Sequence, residues 1–329
     1  MGALMTPRTK PLFPVVCLLM ALTTACGPNS ASQDAGEHRK RGPAVSQTPH
    51  PRSASDFTVP LQSYELTSPQ YAQLQRARMA AVRQCMHRFG ISLDTPDIRE
   101  VRWPHIPALL GWLGDRKPSR YGYRGPSGYL ADQYAAAARG GTKALFVPDK
   151  YSGVYDGSAD LFDGRPVPRG GCHGEVMRRL DRSGEALRRS LKDEAIVPWK
   201  LLSDIENTVA RTVASDHRYQ QVEQRWRDCM SRSGRPYASP ADAEGDPRWA
   251  RSVSITDEEP EQPVTRAEIE AAVADEKCRD EVNLPGMALA LHAAYQKEAI
   301  KAHATELERV KKLLRIQFKN SSDIARANP

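Results

Sequence analysis

Arg83-Gln-Cys85-Met86-His-Arg88-Phe-Gly90, with Pro96 six residues further on, returns later in the chain as Arg227-Asp-Cys229-Met230-Ser-Arg232-Ser-Gly234 with Pro240. Six of the fourteen aligned positions are identical, and each copy ends a helical pattern. In the first, Ser68 and Pro69 serve as N-cap and first-turn residues, and Tyr71, Leu74, Val82, Cys85 and Phe89 fall near one face. In the second, Ser215 or Asp216 caps, and Tyr219, Val222, Trp226, Cys229 and Met230 form the stripe. Gly90 and Gly234 then stop the helices, because glycine enters the left-handed conformation without steric cost. Both cysteines therefore lie near the last turn of a helix and face inward.

A second, shorter pair of blocks follows each of the first. Cys172-His-Gly-Glu175-Val176 matches Cys278-Arg-Asp-Glu281-Val282. Thr265-Arg-Ala-Glu268 is a capping box that starts the helix leading to Cys278. Cys172 opens a helix expected to run to about Glu194, with Val176, Leu180, Leu187 and Leu191 on its apolar face. Four cysteines permit three connectivities, and the repeat selects Cys85 with Cys172 and Cys229 with Cys278. Closing loops of this length destabilises the unfolded chain by about 4 kcal/mol each in the chain-entropy model. Every spacing exceeds forty residues, which excludes a CxxC redox pair and the usual zinc pattern. The expected fold is mainly α: two cysteine-linked helical halves, 61–195 and 200–329, with a long irregular Gly/Pro/aromatic insertion and a long C-terminal helix.

The N-terminus reads as an export signal. Arg8 and Lys10 precede the apolar run Leu12 to Leu22, which ends in Thr23-Thr-Ala25-Cys26. Eleven helical residues rise about 16 Å, against a hydrocarbon core of roughly 30 Å, so the run is too short for an ordinary membrane span. The segment resembles a bacterial lipoprotein signal, residues 1–25, which implies cleavage before Cys26 and a diacylglyceryl anchor on that residue. Thr23 departs from the Leu usual in that pattern, and Thr23-x-Ala25 also suits release as a secreted protein. Cysteine parity favours the anchor: Cys17 leaves with the signal, the four later cysteines pair, and Cys26 is left over. Two acyl chains suffice for stable anchoring where one does not. The expected location is the outer face of the cell membrane. Residues 26–60 hold almost no large apolar side chain and read as a disordered tether of about 30 Å average span.

Between Ile91 and Gly171 helical periodicity fails, apart from a short pattern at Tyr129 to Ala138. Trp103, Trp112, Tyr121, Tyr123 and Tyr129 are the candidate ligand-binding residues of this insertion, since aromatic rings make platforms for sugars or peptides. The same rings would serve equally to anchor a long loop onto the helices. Asp156-Gly-Ser-Ala-Asp160-Leu-Phe-Asp163-Gly164 has its glycine at the wrong place for a calcium loop and reads as a turn. From Met287 to about Lys319 no glycine or proline intervenes, and one helix of about 50 Å is expected. Its basic end, Arg309, Lys311, Lys312, Arg315 and Lys319, suits an anionic lipid, a partner helix, or a core helix whose cations offset the helix dipole.

The formal charge of +7 falls to +5 once Arg8 and Lys10 are removed, a modest value for this length. With an extracytoplasmic address, nucleic acid is excluded as a partner. No GxSxG, HExxH, phosphate-binding or Ser-x-x-Lys motif occurs in the mature chain, so no catalytic residue, metal or cofactor is expected. The Cys-Met-x-Arg-x-Gly blocks and Lys277-Cys278-x3-Val282-Asn283-Leu284, followed by Ala294-Tyr295-Gln296 and Ile300, resemble uncharacterised actinomycete lipoproteins with a Cys-Met block in each half. That resemblance covers about Leu61 to Ala304 and implies no activity. Two function classes follow: a non-enzymatic accessory or interaction protein of the cell envelope, or an extracytoplasmic binding module for a wall glycan, peptide or small ligand.

Overall fold

The computed structural model describes residues 42–95, 98, 100–139, 145–191, 199–249 and 263–326. The expected signal, Cys26 and the first part of the expected tether lie outside the described residues.

Helix α1 (Ser68–His87) is capped by Thr67, one residue before the expected Ser68; the Thr67 N–H donates to Gln70 Oε1 at 2.9 Å. It buries Tyr71, Leu74, Ala77, Ala81, Val82, Cys85 and Met86. The stop is a Schellman motif. Gly90 at φ 74° donates to His87 O at 2.9 Å, and Ile91 donates to Met86 O at 3.2 Å.

The insertion holds three short helices, α2 (His105–Leu109), α3 (Pro118–Tyr121) and α4 (Tyr129–Ala137), before α5 (Ser152–Asp156). The expected turn after α5 is present, with the Ser158 N–H donating to Asp156 Oδ1 at 2.8 Å. It leads into a two-residue antiparallel hairpin, β1 (Leu161–Phe162) with β2 (Arg165–Pro166). Asp163 and Gly164, both at positive φ, make its primed turn.

The helix expected from Cys172 to Glu194 is two helices, α6 (Gly171–Leu180) and α7 (Glu185–Ser190), and residues 192–198 lie outside the described set. In an unbroken helix Asp181 and Arg188 would sit about 10 Å apart along the axis. The break lets the buried Asp181 carboxylate take Arg188 Nε at 2.8 Å and Gln317 Nε2 at 2.7 Å.

Next come α8 (Trp199–Ser215), α9 (His217–Arg232), α10 (Pro240–Glu244), α11 (Arg266–Glu281), α12 (Leu284–Ala302) and α13 (Ala304–Arg326). Asp216 caps α9 by accepting the Arg218 N–H at 2.8 Å. The stop of α9 copies that of α1. Gly234 at φ 76° donates to Ser231 O at 3.0 Å, and Arg235 donates to Met230 O at 2.9 Å.

Both expected bridges are present, Cys85–Cys172 and Cys229–Cys278, with Cα separations of 5.6 and 5.7 Å. The repeat extends to an ion pair beside each bridge: Arg88 with Glu175 at 2.6 Å, and Arg232 with Glu281 at 3.0 Å. Helix end, cap, bridge and ion pair thus recur as one unit.

The cores do not follow the two halves of the sequence. The C-terminal segment breaks at His303, where neither glycine nor proline stands, so the expected single rod is two helices. The break turns α13 onto α1 and α6 and buries Leu307, Val310, Leu313 and Leu314 in the core around Cys85–Cys172. Conversely, Leu113 and Tyr123 of the insertion join Trp226, Trp249 and Leu284 in the core around Cys229–Cys278. Residues 42–60, expected to belong to the tether, are ordered. They lie along the helices, with Phe57 and Val59 buried against Ile106, Leu110, Ala288 and Leu289. The arm is too poor in apolar residues to form a core, but it completes one supplied by α2 and α12. Asn283 Nδ2 holds Pro49 O at 2.8 Å, and Arg218 Nη1 holds Pro43 O at 2.9 Å.

A Cβ built at Gly90 or Gly234 meets no atom within 4 Å, so a substitution there is opposed by backbone conformation alone. Gly90→Ala and Gly234→Ala should each cost about 1–2 kcal/mol in urea unfolding. The two values should agree if the blocks are equivalent, and Asn should cost less than Ala at both.

Candidate functional site

The five insertion aromatics do not converge on one surface. Tyr123 is buried, stacked on Trp249 with centroids 6.0 Å apart, and its N–H donates to Glu268 Oε1. Tyr129 is buried under Trp103 at 5.6 Å, with the Arg116 guanidinium over its ring, 5.7 Å from the centroid. Trp112 packs on Phe57 of the N-terminal arm at 5.4 Å, and Tyr121 sits beside the Arg120 guanidinium. In these places the rings fasten the insertion and the arm to the helices.

Two buried arginines organise the polar interior. Arg279 on α11 spends its donors on Asp275, Glu244 and Gly111 O, and Asp275 also accepts the Trp226 indole N–H at 2.7 Å. Arg116 adds a second cation to Glu244 at 2.7 Å. This network welds α9, α10, α11 and the insertion together. A cavity of about 420 Å³ lies beside it, bordered by Trp112, Lys277 and the arm, where Asp280 holds His50 and Arg52.

The Arg139 network is different, because it forms the wall of a cavity of about 300 Å³ between α1, α2 and the end of α4. Arg139 follows the Ala-rich α4 and is held at φ 51°, a left-handed conformation that costs a bulky residue about 1–2 kcal/mol. This strain turns the guanidinium inward, where it is 4% exposed. Glu65 Oε1 accepts from its Nε at 3.3 Å and its Nη2 at 2.8 Å. Glu206 Oε2 on α8 accepts from Nη2 at 3.3 Å, and Nη1 reaches Ser203 Oγ at 2.8 Å and Ala137 O at 3.5 Å. All five N–H groups are thereby placed.

His105, at the start of α2, sits 3.1 Å from Glu206 Oε1 through Nε2. Burial raises the Glu206 carboxyl, but the His105 hydrogen bond and the charges of His105 and Arg139 outweigh it and hold the group below its ordinary range. An ionised carboxylate only accepts, so His105 Nε2 carries the proton. Tyr71 of α1 lines the cavity and is 4% exposed, with its hydroxyl beside the Leu66 backbone and the Arg139 guanidinium. Burial, then the Glu65 charge, push its phenol far above the ordinary range, so it stays neutral. Leu66, Val101, Pro104, Ile106 and Ala136 add an apolar part to the lining, and Gln62, Thr67 and Ser68 a polar one.

Among the described residues no group of three or more His, Cys, Asp or Glu side chains is placed to hold a metal ion. No helix among them is long and apolar enough to cross a membrane. Family models, curated proteins and solved structures offer no match to this chain.

None of the cavity's polar residues was singled out as a site by the sequence. Glu65, Tyr71, His105, Arg139 and Glu206 lie on four separate segments with no motif spacing. Tyr71 read as a core position of α1, and His105 was passed over within Trp103-Pro-His-Ile-Pro. The one available signal was a lone arginine ending an alanine run and followed by two glycines, Ala138-Arg139-Gly140-Gly141.

His292, in the apolar run Leu289 to Ala294 of α12, is buried near Glu206; burial pushes it down to about 4, against the opposing pull of that carboxylate. A depressed histidine stabilises the fold fully above its unfolded value of about 6.5 and loses that contribution as pH falls toward 4. Stability should drop by roughly 1.4 kcal/mol per pH unit across this window. Urea unfolding of the wild type and of His292→Leu at pH 7 and pH 4.5 should show the smaller drop in the variant.

Proposed function

We propose that the chain is an exported, non-enzymatic accessory protein of the cell envelope, anchored by lipid on Cys26 and offering its helical body to an envelope partner. The observation that carries the partner role is on α2 and α4. Among the described residues six large apolar side chains are exposed, and three of them, Leu109, Leu130 and Tyr134, fall on these two short, mutually packed helices. Leu130 and Tyr134 are four apart on α4 and share a face. The C-terminal helix is the poorer candidate, since its Leu313 and Leu314 are buried. Two disulfides in the body fit an oxidising compartment, and of the six cysteines they leave only Cys17, in the signal, and Cys26.

A second reading, an extracytoplasmic binding module, is favoured by the Arg139 cavity with its strained backbone and its Glu65, Tyr71 and His105 side chains. The insertion aromatics support it less, being spent on packing.

Crosslinking in intact membranes should capture a partner with the wild-type chain and lose it with the double variant Leu130→Glu, Tyr134→Glu. Recovery of the bait alone at native expression counts against the partner role. Mass analysis of the mature N-terminus should find a diacylglyceryl group on Cys26, and an unmodified thiol there would sink the anchor.

A further inference from the structure

We propose that the face formed by α13 and α7 docks on a surface of anionic phospholipid headgroups. The inference rests on the anchored-protein reading above and names the side that the body turns to the membrane.

Helix α13 runs on to Arg326, so the basic run from Arg309 to Lys319 lies inside the helix and not at its end. Cations offset the helix dipole only within the last turn, here Asp323 to Arg326, and that role does not account for them. Nor does a partner helix, because Leu307, Val310, Leu313, Leu314 and Ile324 are already buried and leave no apolar seam to share. The opposite side of α13 carries Lys312, Arg315 and Lys319, all exposed, on successive turns. None of the three has an ion pair among the described residues. They span about 10 Å of helix, no more than one Debye length at about 0.1 M salt, so they act on a charged surface together.

The α7 segment widens the stripe. Asn320 Nδ2 donates to Leu180 O and Arg182 O, both at 2.8 Å, and Arg309 Nη1 donates to Ser190 O at 3.2 Å. Residues 182–190 therefore run antiparallel along α13, so close that a Cβ at Gly184 would stand 3.1 Å from Leu313 Cδ1 and 3.3 Å from Ile316 Cδ1. This contact adds the exposed Arg182 and Arg189 and the half-buried Arg309 to the stripe. Arg188 is committed to Asp181, and Asp323 to Arg326. Glu185 and Glu308 are the exposed carboxylates that remain, two against six cations. Neither cavity described above borders the face. It offers many points of contact to a plane of headgroups and no groove to hold a single acidic chain, and the half-buried Ile316 puts apolar surface between Lys312 and Lys319.

The test uses the mature chain, residues 26–329, with Cys26→Ser, so that no acyl chain carries it to the bilayer. Co-sedimentation with vesicles of phosphatidylcholine and about one-third phosphatidylglycerol should show binding at about 0.1 M salt that is lost at about 1 M, where the Debye length falls to about 3 Å. Vesicles of phosphatidylcholine alone should not bind. Each cation at an anionic surface is worth about fivefold in partitioning, so Lys312→Gln, Arg315→Gln and Lys319→Gln together should weaken binding about a hundredfold. The melting temperature should not fall, since none of the three has an ion pair to lose. The control combines Arg211→Gln, Arg225→Gln and Lys297→Gln, exposed cations of α8, α9 and α12. It removes the same charge and should bind like the wild type. Equal loss in both triple variants would overturn the face and leave only net charge. Displacement from the vesicles by soluble poly(glycerol phosphate) at equal phosphate concentration would overturn membrane docking in favour of an acidic polymer. Absence of binding to the anionic vesicles overturns the proposal as well, and a diacylglyceryl group on Cys26 would still stand as the anchor.

Discussion

The fold hangs on a helix end that cannot fray. In both Cys-Met blocks the methionine carbonyl is held by a backbone N–H five residues on, and the turn that makes this possible has glycine at positive φ. The preceding cysteine is bonded to a distant helix. Cap and bridge act on the same turn, so they limit both the unfolded chain and the local opening of the native one. The ion pairs Arg88–Glu175 and Arg232–Glu281 are too exposed to add much. Their recurrence shows that the helices meet in the same register twice.

Around these two fixed crossings the remaining chain is exchanged. The C-terminal helix leaves the second bridge to fill the core of the first, while Leu113 and Tyr123 leave the first half to fill the core of the second. Each half is thereby incomplete without the other, and the N-terminal arm seals the joint through Phe57 and Val59. Any anchor at Cys26 would pull on a segment fastened to α9 and α12 through Pro43 and Pro49.

The same exchange creates the Arg139 cavity. Its acceptors come from the end of the arm, from α1, α2 and α8, and its cation from the end of α4. Glu65 and Glu206 meet only because the insertion carries Arg139 between them. A bulky residue held in a strained backbone conformation at the wall of a cavity is costly to retain in a purely structural role.

The sequence by itself determined the helical class, the two helix ends and the pairing of four cysteines, since glycine stops, apolar spacing and duplicated cysteine blocks are local signals that act within a few residues. The breaks at Asp181 and His303, the ordering of residues 42–60 and the dispersal of the insertion aromatics were not legible in it. Each depends on burial supplied by a partner far along the chain: Gln317 for Asp181, α1 for α13, α12 for the arm, Trp249 for Tyr123. Only the tertiary structure brought Glu65, Tyr71, His105, Arg139 and Glu206 together, because a polar site assembled from four segments leaves no period and no spacing in the sequence.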